Sequence, residues 1–203
     1  MTILQVDQLT KKIKGMPIIQ DVSFKLDEGQ IVGLVGANGA GKTTLMKVIL
    51  GLSNYQDGSY KVRANTNNKS NTGALIESPG VYPFLTGYDN LKLLCESKEK
   101  NAIDDIVKKL KMDRYIHKKA KTYSLGMKQK LGIAIAFLNH PQLIVLDEPM
   151  NGLDPKAVRD VRELIVETAK QGTTFLISSH ILSELVKITD SILIIDEGKI
   201  IKQ

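Results

Sequence analysis

The sequence predicts an α/β fold with a mainly parallel sheet, an N-terminal antiparallel β-subdomain and an inserted α-helical subdomain. Three observations predict it. Short runs rich in Val, Ile and Leu at residues 30–35, 142–146 and 173–178 have the continuous apolar character of strands buried on both faces. Helical patterns separate these runs, as crossover connections between parallel strands require. Residues 2–26 instead hold two strand-like runs joined by a short polar turn, the mark of an antiparallel hairpin.

The elements follow in order. Residues 2–9 and 18–26 read as strands, joined through a turn at 11–17 that contains Gly15 and Pro17. Asp27-Glu28-Gly29 is a second turn, and the strand at 30–35 runs into a glycine-rich loop. A helix over 42–50 stops at Gly51. The Asn-rich stretch at 65–72 reads as a loop, and 86–94 and 101–110 as helices. Ser124 is placed to cap a helix over 126–139. A strand at 142–146 precedes a helix at 155–170, whose Pro155 sits in the first turn, where no N–H is needed. After the strand at 173–178, residues 191–195 and 199–201 pair across Asp196-Glu197-Gly198. The expectation is one domain over 1–203. Its core spans 1–76 and 140–203 and carries the β-subdomain, and the helical subdomain spans 86–139.

Composition narrows the setting. A chain of 203 residues can bury a core without metal or disulfide staples. Its single cysteine, Cys95, forms no internal disulfide, which suits a reducing compartment. Residues 1–7 lack the apolar core of a signal peptide. The least charged stretch, 131–146, is broken by Asn139, His140 and Pro141, and a span needs roughly 20 apolar residues. Action on a membrane therefore calls for a partner. The net charge of +6 lies wholly in residues 89–130, with 12 Lys/Arg against 6 Asp/Glu. Such a segment faces something acidic, an anionic leaflet or a partner's loops, or it is a solvated helical face.

Residues 36–43, Gly-Ala-Asn-Gly-Ala-Gly-Lys-Thr, carry the chemistry. They fit G-x-x-x-x-G-K-[ST] between a strand and a helix, which defines the phosphate loop of a P-loop NTPase core. Gly36, Gly39 and Gly41 let the backbone N–H groups of this stretch, Asn38 and Ala40 included, turn toward phosphate oxygens, and the helix N-terminus adds positive partial charge. Lys42 reaches the terminal phosphates. The Thr43 hydroxyl, followed by Thr44, suits Mg2+. The strand at 143–146 ends in Asp147-Glu148, adjacent carboxylates that repel unless a cation or a catalytic task compensates. Asp147 suits Mg2+, and Glu148 suits orienting and polarising the attacking water. His180 follows a strand and Ser178-Ser179, where imidazole could meet a γ-phosphate or the water, although a lone histidine also serves structure. His117 and His140 read as surface or turn residues.

In this order the pieces resemble the nucleotide-binding subunit of ATP-binding cassette (ABC) transporters over essentially the whole chain. The resemblance also rests on residues 123–129, Tyr-Ser-Leu-Gly-Met-Lys-Gln, similar to the family signature, and on residues 151–154, Asn-Gly-Leu-Asp, similar to its D-loop. Glu77 stands at the Q-loop position and His180 at the switch histidine. The resemblance implies ATP and Mg2+ as cofactors, with Thr43, Asp147 and Glu77 toward the metal and Glu148, His180 and Lys42 in catalysis. It implies that Ser124 and Gly126 contact ATP held by a second subunit, in a homo- or heterodimer, and that Asp154 couples the two sites. It further implies a transmembrane permease partner and a peripheral place on the cytoplasmic face of the membrane, with no nucleic acid partner expected.

Three departures stand out. Leu125 and Met127 replace the first signature glycine and the glutamine. Ile13 stands where the family often places an adenine-stacking aromatic, and Glu77 replaces the Q-loop glutamine. The runs at 73–80 and 82–87, with Pro79, Tyr82, Pro83 and Phe84, resemble the subgroup that exports or resists bacitracin- or lantibiotic-type antimicrobials. An ABC ATPase acting on nucleic acid or ribosomes is the alternative; the basic segment favours it and the lack of a coiled coil opposes it. A non-hydrolysing binding module is a third reading, which Glu148 and His180 oppose.

Overall fold

The computed structural model describes residues 1–63, 72–96 and 101–202; the Asn-rich stretch expected as a loop at 65–72 lies outside them except for Thr72, which opens a strand. The chain opens with a hairpin of β1 (Thr2–Ile13) and β2 (Met16–Asp27). These strands outrun the apolar alternation and leave only Lys14 and Gly15 between them. Both have positive φ, 50° and 82°, the conformation of a two-residue turn matched to strand twist. Pro17 is tolerated because β2 is an edge strand. The next elements are β3 (Ile31–Val35), α1 (Lys42–Ile49), β4 (Asp57–Val62) and β5 (Thr72–Leu75). β4 completes a three-stranded antiparallel sheet in the order β2-β1-β4. Its sequence, Asp-Gly-Ser-Tyr-Lys-Val, is mostly exposed and carries no strand signal of its own.

The helical stretch comprises α2 (Gly87–Leu94), α3 (Asn101–Lys109) and α4 (Leu125–Phe137). Then come β6 (Leu143–Asp147), α5 (Pro155–Lys170), β7 (Thr174–Ser179), the short α6 (Leu182–Leu185), β8 (Ser191–Asp196) and β9 (Lys199–Lys202). The second sheet has the order β5-β6-β7-β3-β8-β9. It is parallel from β5 to β8 and gains an antiparallel edge from the final hairpin. The fold is therefore α/β with a mainly parallel sheet, as predicted.

The pleat of β6 and β7 divides the apolar interior. Ile144, Leu146, Phe175 and Ile177 join a cluster with residues of α2, α3, α4 and α5. Leu143, Val145 and Leu176 point the other way and join α1 and the antiparallel sheet. Both faces of the strand carrying Asp147 are thus fixed by packing.

The helical stretch is also tied to α5 by charge. Lys109 pairs with Glu167 at 2.7 Å, and Lys111 with the buried Asp160 at 2.5 Å, with Lys130 of α4 at 4.0 Å on the other carboxylate oxygen. Part of the basic excess is thereby structural. At the start of α2, Thr86 caps the helix by accepting from Asp89 N at 3.0 Å. Thr86→Ala is expected to cost about 1 kcal/mol in chemical denaturation, with ATP affinity unchanged.

Candidate active site

β3 delivers the chain into the glycine-rich loop and α1 receives it. Gly41 caps α1 at φ 107°, a conformation that L side chains rarely adopt. At Gly36 the constraint is space: a Cβ there would lie 2.3 Å from the Ile195 carbonyl oxygen. Lys42 is buried, and its Nζ donates to Gly36 O at 2.6 Å and Ala37 O at 3.1 Å. The ammonium is held against the start of the loop.

β6 and β7 are in parallel register, which sets Asp147 beside Ser178. The Asp147 carboxylate accepts from Thr43 Oγ1 at 2.7 Å and from Ser178 Oγ at 2.6 Å. The Ser178 hydroxyl also accepts from Glu148 N at 2.9 Å. Glu148 has φ 50°, unusual for a residue with a Cβ, and unusual again because Pro149 follows it. Its Oε2 lies 2.9 Å from His180 Nδ1. A cleft lined by Ile18, Asn38, Gly39, Gly41, Lys42, Thr43, Thr44, Asp147 and Glu148 opens between these parts.

The structure thus brings together the phosphate-loop residues, Asp147 and Glu148, with His180 on Glu148. Other expected site residues lie elsewhere. Glu77, at φ 58°, pairs with Lys47 of α1 at 2.6 Å rather than with Thr43 or Asp147. Ile13 ends β1 at 44% exposure and pairs with Met16, whereas Ile18 lines the cleft. Ser124 caps α4, accepting from Met127 N at 3.3 Å. Gly126 packs so closely on the D-loop that an added Cβ would sit 2.9 Å from Gly152 O. Asp154 caps α5, accepting from Lys156 N and Ala157 N, both at 2.9 Å. Ser124, Gly126 and Asp154 contribute nothing to the lining of this subunit's own cleft.

Two residues around the cleft carried no distinct sequence signal, and a third, Gln129, closed the signature-like run 123–129 without a role of its own. Ser178 read as the end of a strand, Ile18 as an ordinary strand residue and Gln129 as part of a helix. Only the β6–β7 register could have singled out Ser178, because it faces an acid at a strand terminus.

The Ala157 N–H, aided by that of Lys156 and by the charge of Lys130, holds the Asp154 carboxyl below its ordinary value. A depressed carboxylate contributes stability above its unfolded pKa and loses it as pH falls through the folded one. Asp154→Asn keeps a capping oxygen without the charge. The wild-type advantage in thermal midpoint over this variant is expected to be constant near neutrality and to be lost as pH falls below the ordinary carboxylate range.

A strand–loop–helix cradle, a carboxylate on the loop threonine and a second carboxylate at the cleft define a P-loop nucleoside triphosphatase. The ABC transporter family matches residues 19–151. The chain belongs to that family, as an ATP-binding subunit and ATPase. It is 37% identical to the bacitracin transport ATP-binding protein BcrA of Enterococcus faecalis, over 99% of this chain and 68% of that one. It is 38% identical to the lantibiotic transport ATP-binding protein SrtF of Streptococcus pyogenes, over 98% of this chain and 89% of that one. A solved ATP-binding subunit of an ABC transporter superposes with a TM-score of 0.89 at 30% identity, covering 98% of this chain and 88% of its own. The resemblance to the bacitracin and lantibiotic subgroup is thereby borne out. Among the described residues, no helix is long and apolar enough to cross a membrane.

Proposed function

We propose that this chain binds ATP with Mg2+ and hydrolyses it to drive a separate transmembrane permease, which exports or confers immunity to a peptide or lipophilic antimicrobial. The observation that carries the catalytic part is the shared cleft: Glu148 lines it with Lys42 and Thr43, its carboxylate 2.9 Å from His180 Nδ1. Water in that cleft attacks the γ-phosphorus in line with the leaving ADP oxygen. Glu148 orients the water and takes up its proton, and His180 fixes the carboxylate. Lys42 and the loop N–H groups offset charge on the phosphate oxygens.

Thr43 Oγ1 and the Asp147 carboxylate, 2.7 Å apart, are hard oxygen donors suited to Mg2+. The ion, when bound, neutralises charge on the β- and γ-phosphate oxygens. Glu77 would have to leave Lys47 to join it. Asn38, Gly39, Ala40, Gly41 and Thr44 surround the phosphates, and the apolar Ile18 supports the base more directly than Ile13 does.

Ser124, Gly126 and Asp154 lie outside the lining of this cleft, and Gly126 packs against Gly152 in the stretch that leads to Asp154, which supports their serving the nucleotide of a second ATP-binding subunit, the same chain or another. The signature-bearing segment 86–139 acts as the lobe that carries Ser124 and Gly126, whereas Asp154 stands at the head of α5 in the core. The family match favours transport over action on nucleic acid or ribosomes. The chain is placed peripherally on the cytoplasmic face of the membrane, held by its permease. Purification of the tagged chain from membranes tests the proposal. A polytopic protein should co-purify and hydrolysis should require Mg2+; stable association with ribosomes instead would overturn the transport reading.

A further inference from the structure

Glu148 occupies a backbone conformation that its sequence disfavours. A non-glycine residue at positive φ before a proline persists only where its surroundings hold it. Ser178 holds the N–H side of the peptide. The carbonyl side is held by Asn151 N, at 3.1 Å from Glu148 O, and by the side chain of Gln129.

Gln129 belongs to α4, the helix capped by Ser124, and is buried at 7% exposure. Its Nε2 donates to Pro149 O at 3.2 Å and lies 3.4 Å from Glu148 O. A buried amide costs free energy unless it is paired, so its place against these carbonyls is a fixed feature of the fold. The same helix is locked to the D-loop by the Gly126–Gly152 approach, and its Lys130 faces Asp160 of α5.

We propose that Gln129 is a positioning residue for Glu148, and that through it the signature helix forms part of this subunit's own hydrolytic machinery. A shift of α4 on engaging a partner's nucleotide then moves the carbonyl side of the Glu148 peptide. The inference rests on the proposed hydrolytic task of Glu148 and adds to it the element that aims the carboxylate. Gln129 lines no part of the cleft, so ATP affinity does not depend on it.

The test uses the full chain with Gln129→Met, which keeps length and loses the donor, and Gln129→Asn, which keeps an amide but draws it back by one methylene. Each is assayed for kcat, for Kd with a fluorescent ATP analogue and for thermal midpoint. The expected result is a kcat lower by about 10–100-fold for Met and less for Asn, with Kd within about twofold of wild type. Either variant that folds decides the matter. Wild-type kcat, or a Kd that weakens in step with kcat, overturns the inference. Glu148→Gln is run in parallel. If that variant hydrolyses normally, the underlying reading fails; if it is inactive while Gln129→Met is fully active, only the Gln129 inference fails.

Discussion

Glu148→Gln is expected to lower kcat by about 10²–10⁴-fold while leaving Kd for ATP within about a factor of three. Glutamine preserves the size of the side chain and can still accept a hydrogen bond from His180, so the geometry at 2.9 Å survives. The backbone restraints on residue 148, from Ser178 and Gln129, do not involve the carboxylate and also survive. Only the capacity to take up a proton is lost. ATP binding draws on the loop amides, Lys42 and Thr43, none of which changes. Single-turnover hydrolysis and equilibrium nucleotide binding on the same preparation check both halves. Hydrolysis at the wild-type rate would remove Glu148 from the mechanism. A parallel loss of binding would mean that the residue serves the cleft's structure instead.

Much of the fold was legible because its core strands are buried on both faces. Residues 143–146 and 175–177 are apolar throughout, and their type needed no tertiary knowledge. Chemistry that lies along one stretch of chain was equally legible: the loop from Gly36 to Thr43, and Asp147-Glu148 at a strand end. Pairings between distant segments were not. β4 is a strand only because β1 offers it an edge, and β5 because β6 does; apart from Tyr60, Val62 and Leu75 their own residues are polar or small. Ser178 meets Asp147 through strand register, and Gln129 meets the Glu148 peptide through helix packing, relations absent from any local pattern. The family resemblance points Glu77 at the metal through its Q-loop position, whereas its partner Lys47, 30 residues away, emerges only in three dimensions.

Lys42→Met separates what this residue does for folding from what it does for ATP. The ammonium is buried and spends its donors on Gly36 O and Ala37 O. Removing it forfeits two charge-assisted hydrogen bonds, about 1.5–3 kcal/mol each. It also abolishes the desolvation penalty of a buried cation, several kcal/mol of opposite sign. Methionine follows much of the same stem and fills much of the same volume, so little packing is lost. The thermal midpoint is therefore expected to stay within about 4 °C of wild type. For ATP nothing cancels. The phosphates bring their own negative charge into the cleft, and losing the charge-assisted contact open to the third N–H of the ammonium weakens binding by about 10–10²-fold. Titration calorimetry with ATP and a thermal melt on one sample measure the two effects. ATP affinity within about threefold of wild type would show that the loop amides suffice without the cation. Loss of fold together with affinity would make Lys42 a structural group. A large loss of affinity on an intact fold would mean that this cation is buried at the loop for the nucleotide's phosphates, since the fold gains almost nothing from holding it there.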